Sequence, residues 1–287
     1  VSLDLNRGES VALLGPNGAG KTSLFYITMG LIKADSGSIN LDKTEISEFP
    51  MYRRSKLGLG YLPQESSIFR GMNVEENILS ILEKTQKSAE AKQKKLEDLL
   101  AEFGIEHLRY APSLSLSGGE RRRTEIARAL ASKPKFLLLD EPFANLDTRL
   151  REKLRDKVLH ILKDNNITSI IVTHDADEAM FLSDYIAILQ NGQIQQHGKP
   201  VELYTRPKNR FVAEFFGEIN VITGRKVNDK LHTPLGNFYL KQGEFLKAIK
   251  MYKKVLNIKP DYASGYNKLA SAQSDLGNLE DAVKNYS

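Results

Sequence analysis

The chain contains no cysteine, and this absence excludes several kinds of chemistry. Disulfide scaffolds, zinc sites with thiolate ligands and thiol catalysis all require cysteine side chains. A sequence without cysteine also fits a reducing compartment. Long hydrophobic runs are missing as well, since stretches such as residues 136–139 are much shorter than the ~18–20 apolar residues of a membrane-spanning helix. The first residues lack the pattern of a signal peptide, so we expect neither a leader nor a membrane span.

The charge of the chain is nearly balanced, except in its C-terminal part. Residues 218–287 hold 11 Lys or Arg against 7 Asp or Glu, whereas residues 1–217 hold 30 against 29. A nucleic-acid interface requires a basic face with aromatic platforms, and the sequence shows none. The excess of lysine is typical of solvated helix faces. We therefore predict no nucleic-acid partner.

The 287 residues suffice for about two domains, and the first three quarters alternate strand and helix patterns. Short apolar runs typical of buried strands lie at 11–14, 136–139 and 170–172. With the helical pattern of 148–164 between two of them, they predict an α/β fold with a mostly parallel sheet. Residues 75–108 are charged and helical in pattern, which indicates a helical insertion. The residues from Val1 have a strand-like pattern, and we expect further strands of this domain upstream.

The C-terminal part contains an internal repeat with a period of 34 residues. The equivalent pairs are Leu235 and Leu269, Gly243 and Gly277, Phe245 and Leu279, Ala248 and Ala282, and Tyr252 and Tyr286. The period and these residues resemble the tetratricopeptide repeat, in which each unit is a pair of helices. Pro234 would interrupt the first helix, and such repeats need about three units to bury a continuous core. We predict partial repeats over 234–287 that are marginally stable on their own.

A glycine-rich segment follows the first apolar run and has the pattern G-x-x-x-x-G-K-[ST]. Its residues are Gly15, Pro16, Asn17, Gly18, Ala19, Gly20, Lys21 and Thr22, and a helix is predicted from Ser23. The glycines let main-chain N–H groups surround phosphate oxygens, Lys21 reaches the β- and γ-phosphates, and the Thr22 hydroxyl binds Mg²⁺. The helix adds the positive end of its dipole. The pattern therefore predicts a nucleotide-binding loop.

Two carboxylates end the apolar run at 136–139. Asp140 would lie at the carboxyl end of a parallel strand, where ligands bind in such sheets, and could hold Mg²⁺ through water. Glu141 could polarise a water molecule for attack on the γ-phosphate. Alone, this pair is equally typical of a capped helix start. After a phosphate-binding loop it predicts a hydrolytic site.

A third segment, Ser117, Gly118 and Gly119, precedes a predicted helix. Its main-chain N–H groups, its hydroxyl and the helix N-terminus suit a second phosphate contact, and the alternative is a simple helix cap. In order and spacing, the phosphate-binding loop, this segment and the acidic pair resemble the ATP-binding cassette (ABC) ATPases. The resemblance covers residues 1–217, with a helical subdomain at about 65–125.

The resemblance implies ATP and Mg²⁺ as ligands and a head-to-tail dimer of two cassettes. In such a dimer, Ser117, Gly118, Gly119 and Asp147 of one subunit would act on the nucleotide of the other. Two further residues gain a role: Gln64 would touch Mg²⁺, and His174, which lies 33 residues after Glu141, would contact the γ-phosphate. The implied catalytic residues are Glu141, His174 and Gln64, and the implied metal ligands are Thr22, Gln64 and Asp140.

The family also has an aromatic residue that stacks on adenine, upstream of the phosphate-binding loop. None of the 14 residues before Gly15 is aromatic. Base–aromatic stacking is worth ~1–3 kcal/mol per base in nucleic-acid systems, so we expect this sequence to bind ATP about tenfold more weakly than a form with upstream residues.

The resemblance changes along the chain. Residues 1–143 resemble the ATPase of the lipopolysaccharide exporter, whereas residues 141–233 resemble importer ATPases for iron, polyamines or similar solutes. Residues 218–233 would be a linker or the start of the small C-terminal β-domain of those importers. Parts of three kinds suggest a recombined or composite chain, and a natural fusion is the alternative.

We therefore expect the ATP-hydrolysing subunit of an ABC transporter at the cytoplasmic face of the bacterial inner membrane. Its partners would be permease subunits and a second, identical ATPase. Residues 65–77 would grip the permease, and their exporter-like sequence favours lipopolysaccharide export over import. A soluble ABC protein of translation or DNA repair is disfavoured, because there is one cassette and Ser117 follows Lys21 by only 96 residues. A further alternative is that the tail is an unrelated protein-binding module.

Overall fold

The computed structural model describes residues 1–86, 88–217, 219, 225–227, 230–232, 243–258 and 263–286. The chain divides into two compact units, Val1–Gly217 and Glu218–Ser287. Each unit has its own hydrophobic core.

A six-stranded sheet forms the centre of the first unit. The strands of this unit are β1 (Ser10–Leu14), β2 (Asn40–Leu41), β3 (Thr44–Glu45), β4 (Leu59–Leu62), β5 (Phe136–Asp140), β6 (Thr168–Thr173), β7 (Tyr185–Gln190) and β8 (Gln193–Gly198). The sheet has the order β4-β5-β6-β1-β7-β8, and β2 and β3 form a separate hairpin. Its first five strands are parallel, and β8 pairs antiparallel with β7. The predicted α/β fold with a mostly parallel sheet is confirmed.

The inner strands of this sheet are buried on both faces. Every residue of β1 and of β6 is buried. Because β1 lies between β6 and β7, Leu13 is opposite Val172 on one side and Ala187 on the other. A strand covered on both faces has a continuous apolar sequence instead of an alternating one. The three apolar runs were recognisable in the sequence for this reason.

Helices pack around the sheet, and three of them also pack against one another. They are α1 (Lys21–Met29), α2 (Met51–Lys56), α3 (Val74–Thr85), α4 (Ala89–Phe103), α5 (Gly118–Ala131), α6 (Thr148–Asp164), α7 (Ala176–Leu182), α8 (Pro200–Thr205) and α9 (Arg210–Phe215). The predicted helical insertion is confirmed, since α3, α4 and α5 pack against one another through buried residues such as Leu82 and Leu99. A capping box between Asn73 and Glu76 begins α3. Among the residues that the structure describes, no helix is long and apolar enough to cross a membrane.

Two predictions about the start of the unit were wrong. Residues 1–9 form no strand, and Leu3 and Leu5 instead pack, partly buried, against the core beneath the sheet. Leu3 and Leu5 alternate with polar residues as in a strand, but this packing partly buries both leucines without pairing to another strand. The helix after the phosphate-binding loop begins at Lys21, not at Ser23, because Gly20 with a φ of 97° already provides the turn into the helix.

The second unit is mainly helical. Its described elements are β9 (Arg225–Val227), β10 (Lys230–His232), α10 (Phe245–Ile258), α11 (Ala263–Asp275) and α12 (Leu279–Tyr286). The strands β9 and β10 form an antiparallel ribbon. Gly243 and Gly277, which are equivalent in the predicted repeat, have φ angles of 71° and 84°, and Ala248 and Ala282 are both buried. The predicted helical tail is confirmed, whereas the predictions about Pro234 and its neighbours fall outside the described residues.

Candidate nucleotide-binding site

Four neighbouring parallel strands end at the same edge of the sheet, and a predicted site segment follows each of them. The strands β4, β5, β6 and β1 are adjacent in this order. Gln64 follows β4, Asp140 ends β5, His174 follows β6, and the phosphate-binding loop follows β1. Ligands of open α/β sheets bind at the carboxyl ends of strands. The fold therefore gathers segments that are far apart in sequence at one edge.

The phosphate-binding loop is held closely against the sheet. A Cβ atom on Gly15 would lie 2.5 Å from the main-chain oxygen of Leu189 in β7, so only glycine fits there. Gly192, in the turn between β7 and β8, donates its N–H to the Ala19 carbonyl oxygen at 2.9 Å. These contacts fix the curve of main chain that leads into the N-terminus of α1.

Lys21 lies beneath this loop. The exposed tip of the loop consists of Pro16, Asn17 and Gly18. Lys21 is only 7% exposed, and its ammonium group donates to the carbonyl oxygens of Gly15 and Pro16. Burial lowers the pKa of Lys21, and the negative charges of Glu141 and Asp140 oppose this change. The amine therefore contacts the phosphate-binding loop and interacts electrostatically with the two acidic side chains.

Asp140 is a buried carboxylate, with 3% of its surface exposed. Burial and the adjacent Glu141 raise the pKa of Asp140 to about 6, although Arg122 and Lys21 act in the opposite direction. Both causes disfavour the negative charge. A cation bound beside Asp140 would remove much of this unfavourable energy.

Glu141 contacts His174 although the two residues follow different strands. The Nδ1 atom of His174 lies 2.8 Å from Oε1 of Glu141. Glu141 has a φ of 43°, and its main-chain N–H donates to the Val172 carbonyl oxygen at 2.9 Å. A left-handed conformation costs about 1–2 kcal/mol for a residue with a Cβ atom. The chain therefore turns sharply after β5, at the residue predicted to act on water.

The residues predicted to act across a dimer lie at two helix N-termini. Ser117 caps α5, and its main-chain N–H and side chain form a capping box with Glu120. Gly118 and Gly119 form the first turn of this helix. Asp147 caps α6 by accepting a main-chain N–H of the first turn at 3.0 Å. Each of these hydrogen bonds joins residues of the same helix N-terminus. Ser117, Gly118 and Asp147 are all exposed.

Sequence analysis missed Arg122, which connects two segments of the site. Its buried guanidinium group donates at 2.7–3.2 Å to the carbonyl oxygens of Pro63, Asp140, Glu141 and Pro142. The signal that could have found Arg122 is helical spacing, because it shares the buried face of α5 with Glu125 and Ile126.

Glu125 extends this network to the segment after β4. One of its oxygens pairs with Arg122 at 3.2 Å. The other accepts hydrogen bonds from the Ser66 hydroxyl and from the N–H groups of Ser67 and Ile68, at 2.8, 2.9 and 3.2 Å. The helix α5 therefore ties the ends of β4 and β5 to its own N-terminus.

The predicted Mg²⁺ ligands differ in exposure. Thr22 and Gln64 are exposed, as is Ser23, whereas Asp140 is buried. A hydroxyl, an amide oxygen and a carboxylate are all hard oxygen donors, which Mg²⁺ prefers. In the described part of the chain, no cluster of three His, Asp or Glu could hold a metal alone. The residues fit a Mg²⁺ ion that is held by one carboxylate and by nucleotide phosphates.

Comparison with known families agrees with this geometry. The ABC transporter family matches residues 1–144, and the TPR repeat family matches residues 236–277. A probable ABC transporter ATP-binding protein of Azorhizobium caulinodans is 50% identical over 210 residues, which are 73% of this chain and 74% of that protein. The lipopolysaccharide export system ATP-binding protein LptB of Escherichia coli K12 is 45% identical over 204 residues, 71% of this chain and 84% of LptB. The sulfate/thiosulfate import ATP-binding protein CysA of Vibrio cholerae is 40% identical over 232 residues, 79% of this chain and 61% of CysA.

Solved structures of ATP-binding cassettes are also similar. One is the dimeric cassette MJ0796, bound to ADP and Pi in a post-hydrolysis state, which is 27% identical in sequence with a TM-score of 0.63. The match covers 69% of this chain and 88% of the MJ0796 chain. The cassette MJ1267 in its ADP conformation is 28% identical with a TM-score of 0.63, and the match covers 75% of this chain and 90% of the MJ1267 chain. The chain therefore belongs to the ABC transporter family, in which it is an ATP-binding subunit and an ATPase.

Proposed function

We propose that the chain hydrolyses Mg²⁺-bound ATP at this edge of the sheet and thereby drives transport through membrane permease subunits. One observation carries the proposal. Adjacent strand ends bring the phosphate-binding loop, Asp140 and the hydrogen-bonded pair Glu141–His174 together. Phosphoryl transfer requires little covalent chemistry from the protein, so positioning and charge stabilisation supply most of the catalysis.

In the proposed reaction, the main-chain N–H groups of residues 15–22 and the Lys21 ammonium group bind the phosphates. Thr22, Gln64 and Asp140 would hold Mg²⁺, which neutralises phosphate charge when it is bound. Lys21 already donates hydrogen bonds to carbonyl oxygens of the loop. Phosphate oxygens would replace these acceptors.

Glu141 would polarise the attacking water and accept its proton, so that ADP and phosphate form. His174 would hold the Glu141 carboxylate through its Nδ1 atom and contact the γ-phosphate. The short contact between the two side chains supports these roles, and so does the sharp turn at Glu141. Gln64 would contribute from the neighbouring strand end.

A second copy of the chain would complete the site. We propose a head-to-tail dimer in which Ser117, Gly118, Gly119 and Asp147 of one subunit meet the nucleotide of the other. The exposed start of α5 suits a phosphate, because its main-chain N–H groups and dipole favour negative charge. The dimeric structure of the similar cassette MJ0796 supports this arrangement.

The catalytic roles are tested by two variants. Glu141→Gln should lower kcat by about 100-fold or more but retain ATP binding, because it removes the proton acceptor and leaves the loop intact. Lys21→Ala should lose both binding and hydrolysis. Phosphate release and titration with a fluorescent nucleotide measure the two properties. Glu152→Gln, at an exposed position of α6, is the matched control and should behave as wild type. Normal hydrolysis by Glu141→Gln would refute the proposed role.

The segment after β4 is the surface that we propose for the permease. Phe69 is 45% exposed, and the Arg128 guanidinium group lies 4.5 Å from the centre of its ring. Met72 and Leu114 add exposed apolar surface, and their neighbourhood is fixed by a hydrogen bond from the Ser113 N–H to the Met72 carbonyl oxygen. This apolar surface would receive a helix of the permease, with the subunit at the cytoplasmic face of the inner membrane.

We propose a permease pair of the lipopolysaccharide-export type. The identity to LptB and the exporter-like residues 65–77 support this choice. Co-purification of the chain with a lipopolysaccharide-type permease pair, measured beside an importer permease pair, tests it. Capture by the exporter pair alone is expected, and capture by the importer pair alone would reverse the assignment.

An importer ATPase is the second candidate. The match to CysA supports it, because it extends over 232 residues, whereas the match to LptB extends over 204. The same co-purification decides between the two. For the second unit, the match to the TPR repeat family supports a protein-binding role that is independent of transport. A chain that lacks residues 218–287 but keeps its full ATPase activity and permease binding would agree with that independence.

A further inference from the structure

The turn that carries His174 depends on a carboxylate that the proposed reaction does not use. His174 lies between β6 and α7, and two thirds of its side chain is exposed. On the first turn of α7, four residues after His174, Glu178 is only 4% exposed. The imidazole contacts Glu141. The conformation of the main chain at residues 173–175 determines the direction of the His174 side chain.

Three hydrogen bonds close a ring around His174. The Thr173 hydroxyl donates to Oε2 of Glu178 at 2.9 Å. The N–H of Asp175 donates to the same Thr173 hydroxyl oxygen at 3.1 Å. The N–H of Glu178 donates to Oδ1 of Asp175 at 3.0 Å. The two neighbours of His174 are therefore both tied to Glu178.

The direction of the Thr173 hydroxyl is the central point of this ring. A hydroxyl has one proton to donate and two lone pairs that accept. Because the proton is directed to Glu178, a lone pair faces the Asp175 N–H. Without an acceptor at position 178 the hydroxyl could rotate, and the N–H of Asp175 would lose its partner.

Burial of Glu178 is unfavourable for the stability of the fold. Desolvation raises the pKa of Glu178, and the nearby carboxylates of Asp175 and Glu141 act in the same direction. The hydrogen bond from Thr173 and the charge of Arg151 oppose this shift. An apolar residue at this position would remove the cost of burying a charge but would also lose the hydrogen bond from Thr173. These two effects oppose each other, so a gain in stability does not by itself explain the carboxylate.

We propose that Glu178 is a positioning residue for His174. It fixes the Thr173 hydroxyl, and through it the turn that presents the imidazole to Glu141 and to the γ-phosphate. This inference rests on the proposed role of His174. Loss of the acceptor would leave nucleotide binding intact, because the three hydrogen bonds of the ring join residues 173, 175 and 178 and none of them is donated or accepted by residues 15–22.

Variants of the full chain test the proposal. Glu178→Leu and Thr173→Val each remove one half of the hydrogen bond and should lower kcat about tenfold or more, because small displacements of catalytic groups are costly. The KM for ATP should stay within about threefold of wild type, since an interaction used in the chemical step acts on kcat. Glu178→Gln should keep most of the kcat, because its amide oxygen accepts the same proton.

Two measurements separate positioning from a general loss of structure. The melting temperature of Glu178→Leu should stay close to that of wild type, because removal of the buried carboxylate offsets the lost hydrogen bonds. Hydrogen exchange of the Asp175 amide, measured without nucleotide, should be about fivefold faster in Glu178→Leu and unchanged in Glu178→Gln. Wild-type kcat in Glu178→Leu, or unchanged exchange at Asp175, would overturn the inference.

The background His174→Ala distinguishes this inference from the proposed function. If Glu178 acts through His174, then adding Glu178→Leu to His174→Ala should lower kcat no further. A further tenfold loss in that background would overturn the positioning role. If His174→Ala itself keeps wild-type kcat, the proposed role of His174 fails, and the exchange at Asp175 alone shows whether Glu178 holds the turn.

Discussion

The ionised form of Asp140 lowers the free energy of unfolding of the chain. Its carboxyl group has a pKa of about 6, which burial and Glu141 raise above the usual value of 3.8. Such a group binds its proton more tightly in the folded chain than in the unfolded chain. Between about pH 4 and pH 6 the folded chain holds more protons, so the free energy of unfolding decreases as the pH rises through this window. The decrease is complete above about pH 6.

Asp140→Asn should therefore stabilise the chain in the absence of Mg²⁺ and nucleotide. At pH 7.5 the expected gain in the free energy of unfolding is up to about 3 kcal/mol, which corresponds to the pKa difference. The gain should vanish near pH 4, where wild-type Asp140 is protonated. Urea unfolding with EDTA at both pH values measures it. Asp98→Asn, on the exposed face of α4, is the control. A variant that is less stable than wild type at pH 7.5 would contradict the cause assigned to the pKa shift.

The helix α5 carries two separate sets of residues. Its exposed N-terminus holds the predicted phosphate contact at Ser117, Gly118 and Gly119, and its buried face connects the ends of two strands. Arg122 on that face connects to main-chain oxygens at the ends of β4 and β5, and it pairs with Glu125. Removal of Arg122 would leave a buried carboxylate and several carbonyl oxygens without their donor.

Arg122→Leu should lower the free energy of unfolding by about 3–5 kcal/mol, as is usual when one partner of a buried ion pair is removed. Arg121→Leu is the matched control, since Arg121 is only half-buried and makes one hydrogen bond to the Leu116 carbonyl oxygen. Its effect should be within about 1 kcal/mol. The double variant Arg122→Leu, Glu125→Leu should recover part of the loss, because no unpaired carboxylate remains. Urea unfolding of the three variants measures these differences, and equal losses in Arg122→Leu and Arg121→Leu would contradict the analysis.

Sequence patterns were sufficient wherever the signal was local. The apolar runs of β1, β5 and β6 and the glycine spacing of the phosphate-binding loop lie within a few residues each, so the sheet, its direction and the loop were predictable. The contacts of Arg122 were not, since its acceptors come from positions 63 and 140–142. The hydrogen bond between Thr173 and Glu178 likewise depends on the depth at which α7 packs. The strand expected from Val1 was wrong, because Leu3 and Leu5 pack against the core without pairing to another strand.

In the proposed dimer, the nucleotide site would be divided between two exposed surfaces of the chain. The phosphate-binding loop lies at the sheet edge, and Ser117 lies at the start of α5 with its hydrogen bonds satisfied inside that helix turn. A complete site in the proposed dimer requires both surfaces, each from a different copy. The second unit has a separate core built from residues such as Ala248, Tyr252 and Leu269, and it contributes no predicted site residue.

The proposed dimer should accumulate when ATP binds but is not hydrolysed. Glu141→Gln with Mg²⁺ and ATP is expected to sediment as a dimer, and with ADP as a monomer. Adding Ser117→Arg should prevent dimer formation, because a long side chain would project from the start of α5 into the shared interface. Ser115→Arg, two residues upstream and also exposed, is the control and should still dimerise. A monomer of Glu141→Gln at saturating ATP would contradict the proposed arrangement.

The left-handed conformation of Glu141 also affects how this chain can change over generations. Asparagine and glycine adopt a φ of 43° more readily than glutamate does, so either would relieve strain at this position. Random mutagenesis followed by selection for heat resistance alone should therefore enrich inactive sequences at this codon. Selection for turnover would oppose that drift. With the proposed role of Glu141 in hydrolysis, this glutamate would persist only while hydrolysis is under selection, and its replacement would be an early sign that a descendant has kept the fold and abandoned the reaction.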